Sequence, residues 1–266
     1  MTLIAAWAGL DGKKDGPRVA SIYFASDSRF SWSTGKHYDE GRKVFCSLKY
    51  PYIFAYCGDV TFPLNSIERI IDKIDCDMFF PSEHCDFKEK LETIAEELRT
   101  SLNLYPFPNA KFTILVASRE STYCFHVGKI VWKSNQLLTE ELELPKSSGR
   151  VFWGGSGLND FEKVFNEETR NNNLNVGTSR FYYQCIAKTI REYESDTVGG
   201  TPQLVGLFRK GPGRIFGIIS GNNRYILGKK VNNSPQNLQI EWRNDNFEVV
   251  DPETMKLKDG YQAQPF

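Results

Sequence analysis

Six short polar segments of the chain contain residue types that could carry out hydrolysis. They are MT at the start, ASDSR, RKVF, AYCGD, GGSG and SDTVGG. Most lie where a run rich in β-branched and aromatic residues begins or ends, so they are expected at strand ends. Together they supply a hydroxyl nucleophile, carboxylates, a cation and turn glycines. The candidate site residues are Thr2, Asp27, Arg29, Lys43, Gly58, Ser156 and Asp196.

Thr2 is the candidate nucleophile. A threonine hydroxyl holds its proton tightly and needs an adjacent base. Thr2 is small enough for a methionine aminopeptidase to remove Met1, and the exposed α-amine, with a reference pKa of about 7.7–8.0, could then accept the hydroxyl proton. A nearby ammonium would lower that pKa further. No histidine is required, and none of His37, His84 and His126 lies in a recognisable nucleophile motif.

Lys43 is the candidate for that ammonium, and Asp27 would hold it in place and keep it charged. Simpler interpretations remain open: Lys43 could be a surface lysine on an edge strand, and Asp27 a turn residue at a strand end. The predicted roles of Asp27 and Lys43 depend on each other, because each requires the other residue as its partner. Arg29 would be a second partner of Asp27, would fix the loop, or would be a solvated charge.

Two further residues could complete the site. The backbone N–H of Gly58 would bind the oxyanion of a tetrahedral intermediate, and a glycine lets a substrate backbone approach closely. Its alternative is an ordinary turn glycine. Ser156 could equally be a helix cap or a turn serine, because a helical pattern follows it directly.

Hydrophobic periodicity predicts the elements that position these residues. Strand-like segments come first, and the chain then alternates two amphipathic helices, more strands, two more helices and closing strands. The predicted helices span residues 62–75, 86–105, 160–170 and 178–194, with Asp86 and either Thr178 or Ser179 as N-caps. Because helices come in consecutive pairs, hairpins must join the strands, which favours antiparallel sheets. We expect a four-layer αββα sandwich of two antiparallel sheets, each flanked by a helix pair.

At these residues the chain resembles the proteasome β-subunit family, including the HslV-type peptidases, within the N-terminal-nucleophile hydrolases. The resemblance rests on the order of Thr2, ASDSR, the lysine of RKVF, the glycine of AYCGD, GGSG and SDTVGG, from about residue 2 to 221. It implies that Ser156 hydrogen-bonds the N-terminal amine and that Asp196 belongs to the site. It also implies a homo-oligomeric ring served by an ATP-dependent unfoldase. The chain departs from the family's D-x-x-S-G pattern at Gly199, for which Thr197 or Thr201 could substitute.

Composition excludes several other classes of protein. Lys plus Arg and Asp plus Glu number 33 each, so no net charge attracts nucleic acid or an anionic membrane. No apolar run reaches the roughly 18–20 residues of a membrane span, and no signal peptide is recognised, so we expect a cytoplasmic protein. Cys76, His84 and Cys85 form the cluster closest to a metal pattern, but their spacing is unlike that of zinc sites. We expect neither a metal nor another cofactor.

The predicted function is that of a threonine-type peptidase acting on peptides or unfolded proteins, conditional on removal of Met1. Two alternatives remain: a catalytically silent, proteasome-like scaffold or binding subunit, and an amidohydrolase of the same class acting on a small acyl amide. Residues 1–228 are expected to form the hydrolase domain. The polar, weakly patterned residues 229–266 are expected to form a C-terminal extension.

Overall fold

Strands and paired helices alternate along the chain. A computed structural model describes residues 2–13, 16–32, 34–81, 86–107, 109–171, 175–193, 195–232 and 240–261. The described helices are α1 (Thr61–Asp75), α2 (Phe87–Leu102), α3 (Leu158–Asn171) and α4 (Ser179–Glu192). The described strands are β1 (Leu3–Lys13), β2 (Gly16–Ser26), β3 (Phe30–Ser31), β4 (His37–Tyr38), β5 (Val44–Cys46), β6 (Tyr52–Gly58), β7 (Phe112–Ser121), β8 (Cys124–Lys133), β9 (Gln136–Leu142), β10 (Gly149–Gly155), β11 (Gln203–Phe208), β12 (Arg214–Ser220), β13 (Asn223–Ile226), β14 (Lys229–Val231), β15 (Glu241–Asn244) and β16 (Val249–Val250).

The four predicted helices are all present, and two of their predicted caps are confirmed. Asp86 accepts a hydrogen bond from the backbone N–H of Glu89, whose side chain accepts in return from the Asp86 N–H, which forms a capping box. The Thr178 hydroxyl accepts from the backbone N–H of Phe181 at the start of α4. Both caps satisfy donors that a helix N-terminus otherwise leaves unpaired.

The strands that carry the candidate site belong to two sheets. In the nine-stranded sheet, the path β10-β1-β2-β11-β12-β13-β14 places β1 between β10 and β2. The five-stranded sheet has the order β5-β6-β7-β8-β9, and β3 and β4 form a two-stranded sheet. Thr2, Asp27 and Ser156 therefore adjoin neighbouring ends of β1, β2 and β10, whereas Lys43 directly precedes β5 and Gly58 ends β6.

Both faces of β1 are buried, which fixes the position of the N-terminal end of this strand. Leu3, Ala5 and Trp7 pack in one core cluster with residues of α3 and α4. The alternate residues Ile4 and Ala6 pack in a second cluster with residues of the five-stranded sheet. A strand covered on both sides has little freedom to shift its register, because a slip of one residue would exchange its two faces.

The prediction of a four-layer αββα sandwich built from two antiparallel sheets is wrong. The described residues form three sheets, of nine, two and five strands, and β15 pairs with β12 in parallel. Strands β14, β15 and β16 come from the segment that looked unpatterned, where Trp242 and Val250 are buried against Ile219. Strands of two to four residues carry too little periodicity for a sequence pattern to reveal, and distant partners decide their pairing.

The C-terminal segment contributes directly to the larger sheet. Strand β14 pairs with β13, and β15 pairs with both β12 and β16. The division into a domain of residues 1–228 and an extension of residues 229–266 stays a prediction. No described helix combines the length and the apolar character that crossing a membrane requires.

Candidate functional site

A buried ion pair lies at the centre of the candidate site. Lys43 Nζ is 2.8 Å from Asp27 Oδ1, and neither side chain is exposed to solvent. Asp27 Oδ1 also accepts a hydrogen bond from the backbone N–H of Leu3 at 2.9 Å. Asp27 Oδ2 accepts from the backbone N–H groups of Arg29 at 3.1 Å and Gly199 at 3.3 Å. The carboxylate is therefore satisfied by charge-assisted bonds from four separate segments.

The surroundings of Lys43 lower the pKa of its ammonium. Burial is the main cause, because a low-dielectric site disfavours the charged form, and the Asp27 carboxylate opposes the shift. The ring of Phe30 lies 5.8 Å from Nζ, a cation–π distance. The structure thus brings together the two residues that the sequence predicted as a pair, and Lys43 is not the surface lysine of the simpler interpretation. Asp27 also follows a strand end and accepts from the N–H of Arg29, as a turn residue would.

Thr2 lies beside this pair. Its side chain and backbone are fully buried, and its backbone nitrogen donates a hydrogen bond to Ser156 Oγ at 3.1 Å. The next residue, Leu3, is the one that binds Asp27, so Thr2 is one residue from the ion pair. Among the described residues, Thr2 Oγ1 has no hydrogen-bond partner. A buried hydroxyl without a partner is uncommon in folded proteins and calls for an explanation.

Ser156 is linked by a hydrogen bond to the loop that follows α4. Its hydroxyl donates to Thr197 Oγ1 at 3.1 Å, and Thr197 contacts the Ser195 hydroxyl at 3.3 Å. Asp196 is exposed, and in the described part of the chain it forms no hydrogen bond with Ser156 or the ion pair. Thr197, which the sequence offered as a substitute, therefore lies against Ser156, whereas the Thr201 backbone N–H binds Ser28 at 2.8 Å.

Arg29 links the loops around the site. Its guanidinium binds both carboxylate oxygens of Asp39 at 2.6 Å and donates to the Ser195 carbonyl at 2.8 Å. Hydrogen bonding by Arg29 is the main cause that lowers the pKa of Asp39 below its ordinary value. Arg29 also accounts for Gly199, because a Cβ at that position would overlap the guanidinium carbon. Its side chain thus serves the loop-fixing role among those that the sequence left open.

Gly58 borders a cavity next to Ser156. It ends β6 with a φ of +101°, and a Cβ there would overlap the carbonyl oxygen of Lys111. The cavity has a volume of about 210 Å³, and its wall includes Gly58, Cys57, Gly155 and Ser156. Burial raises the pKa of the Cys57 thiol to about 11, so this neighbour stays protonated and is a poor nucleophile at neutral pH.

Gly155 should be intolerant of any side chain. Its φ is +100°, and a Cβ would overlap the carbonyl oxygen of Thr2. We expect Gly155→Ala to lower the free energy of unfolding by about 2–5 kcal/mol, from the left-handed backbone and the overpacking together. Chemical denaturation measures this. Gly12→Ala is the matched control, because no atom lies within 4 Å of its added Cβ. Equal stability of the two variants would contradict the expectation.

Gln203 is a positioning residue that sequence reasoning missed. It is fully buried, and its Nε2 donates to the carbonyls of Asp27 at 3.1 Å and Gly41 at 2.6 Å. Its Oε1 accepts from the backbone N–H of Lys43 at 3.1 Å. One amide thereby ties the segments that carry the two members of the ion pair. The available signal was a lone polar residue that opens the apolar run QLVGLF.

Gln203→Ala should loosen this junction. We expect the variant to lose about 2–5 kcal/mol of stability, because three buried backbone groups lose their partner. Thermal and denaturant unfolding check the value. Gln136→Ala, at an exposed position that begins β9, should change stability by no more than about 0.5 kcal/mol. A Gln203→Ala variant as stable as that control would show that the tie is dispensable.

Comparisons with known proteins assign no family. No family model matches the chain. The bifunctional protein GlmU of Synechococcus sp. (strain CC9605) is 28% identical over an alignment of 138 residues, which covers 47% of this chain and 30% of that protein. The chain thus spans less than a third of the curated relative it matches. The function must be argued from the site.

The sequence singled out Cys76, His84 and Cys85 as the cluster closest to a metal pattern. His84 and Cys85 lie outside the described residues, and Cys76 is exposed.

Proposed function

We propose that this chain is a threonine-type peptidase of the proteasome β-subunit and HslV-like family. The observation that carries the proposal is the position of Thr2. Its nitrogen binds Ser156 at 3.1 Å, its hydroxyl has no partner among the described residues, and the adjacent Leu3 binds the buried Asp27. The proposal rests on this cluster and not on the arrangement of the sheets.

In the proposed mechanism, removal of Met1 converts the nitrogen of Thr2 into a free α-amine. The nearby Lys43 ammonium disfavours protonation of that amine, so the amine serves as the general base at neutral pH. Ser156 and Thr197 orient it through their hydroxyl groups. The Thr2 hydroxyl, which has no hydrogen-bond partner among the described residues, then transfers its proton to the amine as Oγ1 attacks a carbonyl carbon.

The remaining steps follow the chemistry of acyl transfer. The N–H of Gly58 stabilises the oxyanion of the tetrahedral intermediate, where a single donor is worth about 2.7–4 kcal/mol in other enzymes. The leaving amine takes the proton from the α-amine, and the acyl group remains on Thr2 Oγ. Water then attacks the ester with the same amine as base, which releases the carboxylate and restores Thr2. No cofactor is needed.

The proposal extends to the partners and the cellular setting that the family resemblance implies. The substrate would be a peptide or an unfolded protein, and the chain would assemble into a homo-oligomeric ring in the cytoplasm, served by an ATP-dependent unfoldase. Neither nucleic acid nor a membrane is proposed as a partner, because acidic and basic residues balance at 33 each.

The test begins with the intact mass of the purified protein. We expect a mass that is lower by one methionine. The processed protein should then hydrolyse fluorogenic peptides. A peptide epoxyketone, an electrophile that reacts with both a hydroxyl and an amine, should add its mass to Thr2. A protein that has lost Met1 but shows neither turnover nor adduct would support the scaffold alternative. Hydrolysis of small acyl amides but not of peptides would support the amidohydrolase alternative.

A further inference from the structure

The hairpin of β7 and β8 brings three metal-ligating residue types together. Cys124 Sγ lies 3.1 Å from His126 Nε2, and Glu120 Oε2 lies 3.5 Å from the same nitrogen and 4.0 Å from the sulfur. Cys124 and His126 are two residues apart on β8 and therefore project from one face. Glu120 lies near the end of β7, which is paired with β8, so the turn closes the cluster.

These separations suit a single zinc ion. With zinc–ligand distances of about 2.0–2.3 Å and tetrahedral angles, sulfur, nitrogen and oxygen ligands lie about 3.3–3.6 Å from one another. The three observed separations, from 3.1 to 4.0 Å, bracket that range. A mixed set of thiolate, imidazole and carboxylate favours Zn²⁺ over Mg²⁺ and Ca²⁺, which prefer oxygen ligands alone.

A second, independent feature orients the histidine for coordination. His126 Nδ1 lies 2.7 Å from Glu141 Oε1, and a carboxylate at that nitrogen holds its proton there. The lone pair of Nε2 then points at the cluster, the arrangement by which carboxylates commonly support zinc-binding histidines. The ring is also held by stacking on Phe87, with centroids 4.9 Å apart and planes 17° from parallel.

We propose that Glu120, Cys124 and His126 bind Zn²⁺, with Glu141 as the positioning residue of His126. Lys90 Nζ lies 3.4 Å from Glu120 Oε1, which leaves the other oxygen of that carboxylate to the metal. On coordination the Cys124 thiol loses its proton to solvent and the sulfur binds as a thiolate. Three protein ligands leave a fourth position for water or for a donor atom from another molecule.

The proposed metal site is remote from Thr2 and does not depend on the proposed peptidase function. Gly58 pairs with Phe112 at one end of β7, and Glu120 lies eight residues further along the same strand. Eight strand residues span on the order of 25 Å. Zinc at the hairpin would therefore stabilise the β7–β8 turn, and the metal is not expected to touch the reacting atoms.

Metal titration of the full-length, tag-free protein tests the proposal. The protein is stripped with a chelator, titrated with Co²⁺ to detect the thiolate charge-transfer absorption, and then with Zn²⁺ against a chromophoric chelator. We expect one equivalent of Zn²⁺ per chain. Cys124→Ser and His126→Gln should each weaken Zn²⁺ binding at least 100-fold. Cys124→Ser should also abolish the thiolate charge-transfer absorption of the Co²⁺ form, and His126→Gln should abolish the visible absorption typical of tetrahedral Co²⁺. Glu120→Gln should also weaken Zn²⁺ binding.

Two kinds of control make the result decisive. Cys76→Ser and His37→Gln alter exposed residues of the same types outside the cluster and should leave the affinity unchanged. Glu141→Gln, at a side chain that is 47% exposed and not a ligand, should fold normally and weaken binding about 10–100-fold. Absence of stoichiometric binding, or unchanged affinity in Cys124→Ser and Glu141→Gln, would mean that the cluster is only a network of hydrogen bonds and ion pairs.

Discussion

Replacing Lys43 by methionine is expected to abolish hydrolysis and to lower the free energy of unfolding by about 3–5 kcal/mol. The physical reason for the stability loss is Asp27, which would remain fully buried without the ammonium 2.8 Å away. Activity would be lost separately, because the positive charge that keeps the Thr2 amine neutral would be gone. Denaturant unfolding and peptide turnover measure the two effects.

A second substitution separates the two effects. In the double variant Asp27→Asn, Lys43→Met, removal of the buried carboxylate charge should restore part of the stability. The recovery stays partial because an amide has one acceptor oxygen where the carboxylate has two, so either the N–H of Leu3 or those of Arg29 and Gly199 lose their acceptor. Activity should not return. A double variant as unstable as Lys43→Met alone would show that the unpaired charge was not the cause.

An exposed lysine provides the matched comparison. Lys49 pairs with Asp77 at the surface, where the two side chains are 51% and 59% exposed. Lys49→Met should change stability by no more than about 1 kcal/mol, because solvent screens exposed pairs. Full peptide turnover by Lys43→Met, with the fold intact, would remove Lys43 from the proposed mechanism.

Thr2→Ala is expected to lower peptide turnover by a factor on the order of 10⁴–10⁶, as loss of a catalytic nucleophile does elsewhere. Its effect on stability should be small, because Thr2 Oγ1 has no hydrogen-bond partner among the described residues. The change deletes one hydroxyl and one buried methyl group, which costs about 1 kcal/mol. Steady-state kinetics and thermal unfolding on the same preparation check both statements.

Rescue and processing make the Thr2 test specific. Thr2→Ser keeps a hydroxyl and should recover measurable turnover and the covalent adduct, whereas Thr2→Ala should form no adduct through a side-chain oxygen. Intact masses must show that Met1 is absent from all three proteins, since a retained methionine would block the amine whatever residue follows it. Normal turnover in a processed Thr2→Ala variant would overturn the proposed nucleophile.

Local features of the fold could be predicted, whereas the pairing of distant segments could not. The period of the apolar residues and the caps at Asp86 and Thr178 located the helices, because both depend on neighbours within a few residues. The predicted number of sheets was wrong because the strand that contains the buried Trp242 forms by pairing with β12, which is distant in the sequence. Pairing between strands that are more than about twenty residues apart cannot be recognised from the local sequence of either strand.

The same division holds for the candidate site. Asp27 and Lys43 could be proposed as a pair because the chemistry of each requires the other, and their charge types are visible in the sequence. The order of the polar segments along the chain likewise pointed to Thr2 and Ser156. What the sequence could not reveal was which side chains of a loop turn inward: it left Thr197 and Thr201 open as substitutes for the family serine, and the structure places Thr197 against Ser156.

The sequence by itself determined the positions of the helices, the apolar faces that they bury and the residue types that could act at the chain's beginning. Only the tertiary structure decided that Gln203 joins the two halves of an ion pair, and that Cys124, His126 and Glu120 meet at a hairpin. The physical reason is the distance along the chain over which each effect acts. Propensity, periodicity and capping act over a few residues, whereas burial, charge pairing and ligand geometry depend on atoms that the folded chain brings together from distant positions.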